Sequence, residues 1–116
     1  KPLITFVMKI LIKKTILYYA TKYPIAQTQL LIWYIEFSKL EFQNFNQLKK
    51  VYGNASIVNN NRVIFNIKGN EFRLIVSVNF LQGACYVIWF GTHKEYDKIN
   101  VETIAFDIAI LTDKKI

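Results

Sequence analysis

NNRVIFNIKGNEFRLIVSVNF, running from Asn60 to Phe80, is the stretch on which the fold turns. Apolar residues recur at every second position, first Val63, Phe65 and Ile67, then Phe72, Leu74, Val76, Val78 and Phe80. A period of two sends alternate side chains to opposite faces of a strand. Between the runs lie Gly69 and Asn70, residues that suit a tight hairpin turn. The stretch predicts an antiparallel hairpin with one apolar face that must be covered. Its other face carries Arg62, Asn66, Lys68, Arg73, Ser77 and Asn79, with Ile64 and Ile75 in the same alternation.

The flanks supply the cover. Downstream, "LQG" makes a second turn, and "CYVIWF" (85–90) is apolar throughout, as for a central strand covered on both faces. Upstream the period changes to 3.6. Lys14 to Tyr23 reads as a helix ended by Pro24, since the residue before proline avoids the helical region. A second helix fits Ala26 to about Phe42, with Leu30, Tyr34, Phe37 and Glu41 along one side and Leu31, Trp33 and Ile35 widening the stripe. "NFNQLKKVYGN" fits a short helix stopped by Gly53 and Asn54. "LITFVMKILI", rich in β-branched residues, predicts a first strand. Trp33 and Trp89 both sit in apolar runs and read as core. No repeat, linker or low-complexity tract divides the chain, so the expectation is one α+β domain. An N-terminal strand and helices would pack on one face of a small antiparallel sheet built from 62–68, 72–80 and 84–91.

Composition narrows the function. The 116 residues are 53% apolar and 16% aromatic, enough to bury a core. A single cysteine excludes an internal disulfide and a multi-cysteine zinc site, and one histidine with one cysteine makes a poor metal site. The expectation is no metal and no cofactor, in a reducing cytoplasmic setting. The longest apolar runs fall far short of the ~18 residues that cross a bilayer, so no membrane partner is expected. Residues 1–7, ahead of the only methionine, read as an upstream extension.

The formal net charge is +7, concentrated before Glu71: ten Lys/Arg against Glu36 and Glu41, then five against six acids. A basic domain of this kind suits a polyanionic partner. Both arginines of the chain, Arg62 and Arg73, fall on the polar face of the hairpin. Arginine suits bidentate phosphate recognition. A plain solvated sheet face is the commoner reason for such alternation; a basic groove floor is the functional one.

A second cluster stands at "GTHKEYDKI", Gly91 to Ile99, which holds the only histidine. Thr92 and Glu95 fit the capping-box spacing, with Thr92 as N-cap. That accounts for neither His93, Lys94 nor Tyr96. Cations are unfavourable in a first helical turn, so two of them there point to a compensating anion. A surface histidine is the commoner reading, a catalytic one the sharper.

Taken together, "NNRVIFNIKGNEFRLIVSVNF" and "CYVIWFGTHKEYDKI", with "MKILIKKTILYYATKYP" upstream, resemble the HigB family of bacterial toxins in the RelE-like superfamily, over roughly residues 8–100. The Gly69–Asn70/Arg73 and Thr92–His93–Glu95–Tyr96–Asp97 pieces are specific in combination. The resemblance implies a RelE-like α+β fold whose concave face receives mRNA in the ribosomal A site. It also implies an endoribonuclease, or mRNA interferase, restrained by a HigA-like helix-turn-helix antitoxin. The chemistry it implies is metal-independent: the 2′-hydroxyl attacks the adjacent phosphorus, leaving a 2′,3′-cyclic phosphate and a free 5′-hydroxyl.

On this reading Arg73 binds and stabilises the phosphate, and His93 is general acid or base. Tyr96 stacks or donates a proton, and Lys68 adds charge or acts as base. Arg62, Lys94 and Asn70 contact RNA. Residues 101–116 extend past the resemblance as a final helix or tail. Two other classes compete: a ParE-like toxin acting on DNA gyrase with the same architecture, and a non-catalytic nucleic-acid-binding module. Neither needs a histidine beside Arg73 and Tyr96.

Overall fold

A computed structural model describes residues 9–11 and 13–112 of the chain. In chain order the elements are β1 (Lys9–Leu11), α1 (Lys13–Lys22), α2 (Gln27–Lys39), α3 (Phe45–Val51), β2 (Ser56–Val58), β3 (Arg62–Ile67), β4 (Phe72–Asn79), β5 (Ala84–Thr92) and α4 (His93–Tyr96). Single 3₁₀ turns occupy Pro24–Ala26 and Ile108–Thr112. Among the described residues the strands form one five-stranded sheet in the order β1-β5-β4-β3-β2.

The hairpin read from the sequence is β3–β4, antiparallel with Ile67 opposite Phe72 and Arg62 opposite Ser77. Its loop is wider than a two-residue turn. Lys68 (φ 56°) and Gly69 (φ 64°) both take left-handed backbone, and the Glu71 N–H closes the loop on the Lys68 carbonyl at 3.2 Å. β4 pairs antiparallel with β5, and β2 adds an antiparallel edge strand that no period-two run indicated. The N-terminal strand is present at Lys9–Leu11 and joins β5 in parallel; the rest of "LITFVMKILI", and the extension 1–7, lie outside the described residues.

The helices cover one face, as its alternating apolar residues require. Val63, Phe65, Ile67, Phe72, Leu74, Val76, Val78, Cys85, Val87 and Phe90 pack in one cluster with Ile16, Tyr19 and Ala20 of α1, Leu30, Trp33 and Phe37 of α2, and Leu48 of α3. Pro24 ends α1 as expected and opens the 3₁₀ turn. The buried stripe of α2 is narrower than its apolar content: Leu30, Trp33 and Phe37 face inward, while Ile32 and Ile35 are exposed. A single sheet below one helix buries only about a third of its circumference. Asn44 caps α3, its side chain accepting from the Gln47 N–H at 2.9 Å. The Cys85 thiol is pushed up to about 12 by burial and serves as a small apolar residue. No described helix is long and apolar enough to cross a membrane.

One register irregularity reshapes the opposite face. Ile75 pairs with Trp89 but Val76 pairs with Val87, so Ile88 is an extra residue, a β-bulge. Strict alternation would put Val87 and Trp89 on one face. With the bulge, Val87 and Phe90 enter the helix-covered core, and Trp89 turns to the side that carries Arg73. The expectation that Trp89 joins the core beside Trp33 is thereby corrected: Trp33 is buried, whereas Trp89 is half-buried against Tyr96, ring centroids 6.3 Å apart. The far face is thus built in rows across β3, β4 and β5: Arg62–Ser77–Tyr86, then Ile64–Ile75–Trp89, then Asn66–Arg73–Gly91. The middle row is apolar, with Ile64 and Ile75 buried, so the basic face foreseen from the alternation is split in two.

Candidate active site

At one end of the far face the β3–β4 loop meets the β5–α4 junction, because β4 pairs with both strands. Phe72 lies opposite Thr92 and Arg73 opposite Gly91. The ladder runs one bond further, from the His93 N–H to the Glu71 carbonyl at 2.9 Å. There α4 begins with the capping box that the Thr92/Glu95 spacing predicts. The Glu95 N–H donates to Thr92 Oγ1 at 3.1 Å and the Thr92 N–H to Glu95 Oε1 at 2.8 Å. Glu95 is held below the usual carboxylate range, chiefly by the Thr92 N–H, so it stays an ionised acceptor at neutral pH.

Arg73 is the hub. Its Nη1 donates to the carbonyls of Asn70 (3.0 Å) and Phe72 (3.1 Å), and its Nη2 donates to Asn70 Oδ1 at 2.6 Å. Nη2 also lies 3.4 Å from His93 Nδ1, and the guanidinium carbon stands 5.9 Å from the centre of the Tyr96 ring. His93 Nε2 is 3.6 Å from Asp97 Oδ1, one helical turn on. With Nδ1 accepting from Arg73, a neutral imidazole carries its proton on Nε2, toward Asp97. The Tyr96 hydroxyl is pushed up, first by burial, with Asp97 adding to the shift and Arg73 opposing it. It therefore keeps its proton at neutral pH. The guanidinium thus stands within reach of both the imidazole and the phenol ring.

Of the residues singled out from the sequence, the fold brings Arg73, His93, Tyr96 and Asn70 together. Asn70 meets Arg73 through both its carbonyl and its side chain. Lys68 shares the Asn70 loop, and its Nζ pairs with Glu71 at 3.1 Å. Lys94 is exposed on the first turn of α4. Arg62 stands apart, at the start of β3, where its Nη1 donates to the carbonyls of Val101 (2.9 Å) and Ile104 (2.8 Å).

Three neighbours of this cluster carry no role in the sequence reading. Asp97 was legible as the i+4 neighbour of His93 on a helix. Trp89 was hidden by the bulge. Tyr23, whose hydroxyl donates to Glu95 Oε1 at 2.8 Å across 72 positions, had no signal in the sequence.

Residues 26–99 match the family described as HigB_toxin, the RelE-like toxic component of a toxin-antitoxin system. Over 92 residues the chain is 32% identical to the mRNA interferase toxin HigB of Escherichia coli K12, covering 78% of this chain and 88% of that protein. The mRNA interferase HigB proteins of Escherichia coli O157:H7 and Shigella flexneri match at the same 32% identity and the same coverage.

Proposed function

The chain belongs to the HigB family of RelE-like toxins, and from that membership and the Arg73–His93–Tyr96 cluster we propose that it is the mRNA-cleaving toxin of a toxin–antitoxin pair. It acts in the cytoplasm on mRNA engaged in the ribosomal A site and is held inactive by a HigA-like helix-turn-helix antitoxin. The reaction is transesterification without a metal. The 2′-hydroxyl attacks the neighbouring phosphorus and the 5′-oxygen leaves, giving a 2′,3′-cyclic phosphate and a free 5′-hydroxyl.

The observation that carries this reading is the convergence on Arg73, with His93 Nδ1 at 3.4 Å and the Tyr96 ring at 5.9 Å. Developing charge on the phosphorane calls for a fixed cation, and the guanidinium is already oriented by Asn70. When Arg73 turns to the phosphate, His93 Nδ1 is freed to accept the 2′-hydroxyl proton. Tyr96, which retains its proton, supplies one to the departing 5′-oxygen. Lys68 and Lys94 add positive charge beside the cleaved linkage. Asn70 and the remaining nitrogen donors of Arg62 hold the RNA backbone. So small a set of acid–base groups leaves the alignment of the 2′-hydroxyl to the ribosome.

Primer extension on translated and free transcripts tests this, with wild type, Arg73→Ala, His93→Ala and Tyr96→Phe. Cleavage is expected on translated mRNA alone, and each variant should lose it while remaining folded. Equal cleavage by wild type and His93→Ala removes His93 from the chemistry. A folded, toxic wild type that leaves mRNA intact moves the protein to the gyrase-directed class.

A further inference from the structure

We infer that Tyr23, the residue just after α1, is a positioning residue for His93, acting through the Glu95 carboxylate. The assignment rests on His93 taking part in cleavage. α4 is only four residues long, too short to hold its own orientation. It is tied to the sheet by the capping box and by the His93 N–H on Glu71. Tyr96 adds contacts with Trp89 and Arg73, and a tie to Glu95 itself comes from just past α1, where the Tyr23 hydroxyl donates to Glu95 Oε1 at 2.8 Å, the same oxygen that accepts from Thr92 N–H.

That hydroxyl is itself rigidly placed. The Tyr23 N–H bonds the Tyr19 carbonyl at 2.9 Å, and Pro24 follows at once. The ring stands edge-on against Phe72 (5.5 Å) and Phe90 (5.6 Å), which stack on one another at 5.2 Å. Burial and the bond to Glu95 raise the Tyr23 hydroxyl, so donor and acceptor keep their roles across the neutral range. His93 sits between the two residues of the capping box, one position after Thr92 and two before Glu95. A shift of Glu95 rotates the only turn of α4 and moves His93 Nδ1 relative to Arg73. The helix ending in K-Y-P thereby acquires a role in the site beyond covering the sheet.

Tyr23→Phe keeps the ring contacts and deletes only the hydroxyl. Its kcat on translated mRNA should fall about tenfold with KM within about twofold, since small misplacements of a reacting group are costly while binding is untouched. Glu95→Ala should behave alike. Glu95→Gln, whose amide oxygen still accepts both bonds, should stay within about twofold of wild type. His93 is the only histidine, so its imidazole NMR signals are unambiguous and can be followed in the protein without RNA. They should move in Tyr23→Phe and Glu95→Ala and stay in place in Glu95→Gln.

Unchanged kcat in Tyr23→Phe and Glu95→Ala overturns the assignment, whatever happens to Tm; so do unmoved His93 signals. If wild type proves unable to cleave mRNA but Tyr23→Phe still moves the imidazole signals, the functional reading fails and the tie between Tyr23 and His93 stands.

Discussion

Arg62 and Arg73 occupy the same face of the same hairpin, yet they are used differently. Arg73 is braced by Asn70 within its own loop and turned toward His93 and Tyr96. Arg62, beyond the apolar row Ile64–Ile75–Trp89, spends Nη1 on the carbonyls of Val101 and Ile104, while nearby Asn60 donates to the Glu102 carbonyl at 3.0 Å. It tethers the segment that follows α4. Two cations of the same kind, on alternating positions of paired strands, thus serve a candidate phosphate site and a chain tether. What separates them is not their strand positions but which later part of the chain arrives next to each.

Mutation should break that pair apart. Arg73→Ala is expected to lower cleavage of translated mRNA about 10²–10³-fold, the usual cost of removing one oriented charge donor. His93→Ala should lower it about 10²–10⁴-fold as an acid–base group. Neither removes core packing; Arg73→Ala takes a donor from the Asn70 and Phe72 carbonyls, so its urea stability should fall by no more than about 1–2 kcal/mol, and that of His93→Ala should stay near wild type. Loss of cleavage that merely tracks loss of folded protein would mean that Arg73 is another tether.

Gly91→Ala strikes the floor of the same end. A Cβ on Gly91 would lie 2.6 Å from Trp89 Cη2 and 2.8 Å from Glu95 Oε1, the latter already held by Thr92 and Tyr23. The indole is rigid and the carboxylate is tied, so about 1–3 kcal/mol of stability should be lost, as in overpacked interiors. Cleavage should fall beyond what unfolding accounts for, and urea titration beside primer extension separates the two. Wild-type stability would show that Trp89 can swing away freely.

Arg62→Ala should invert the Arg73 pattern. Two carbonyls lose their donor, at a cost of about 1–2 kcal/mol in urea unfolding, at the lower end for unsatisfied buried groups because the site is only half-buried. Cleavage should change far less than in Arg73→Ala. A larger loss of cleavage than of stability would make RNA contact the main work of Arg62.

The smallest effect concerns pH. Glu95 is held below the usual carboxylate range, first by the Thr92 N–H. Its charge therefore adds stability above that range, and the contribution fades as pH falls through the lowered value. Because Glu95 is exposed, solvent screening keeps the gain small. Wild type should be slightly more stable than Glu95→Gln at pH 6, and the two urea midpoints should converge as pH falls below the usual carboxylate range. A gap that persists at low pH would trace to packing rather than charge.

The family, the hairpin, the helices and the capping box were all open to local reading. Arg73, His93, Tyr96 and Asn70 are legible in the sequence because the loop and strand-end motifs that carry them lie within 27 positions of one another. What stayed hidden has a common cause. The bulge at Ile88 depends on how β4 and β5 share hydrogen bonds, and an unbroken apolar run such as "CYVIWF" carries no alternation from which to detect a slip. The Tyr23–Glu95 bond and the Arg62 tether span 72 and about 40 positions, and no spacing rule links residues so far apart.

By itself the sequence determined the helices, the hairpin strands with their downstream neighbour, and which face of the hairpin is buried, but not the edge strand β2, since periodicity and turn chemistry act between near neighbours and a three-residue edge strand carries too little of either. The tertiary structure alone decided which face Trp89 joins, which arginine is left facing the histidine, and what holds that histidine in place. Those outcomes depend on hydrogen bonds between elements that meet only when the sheet has closed around its core.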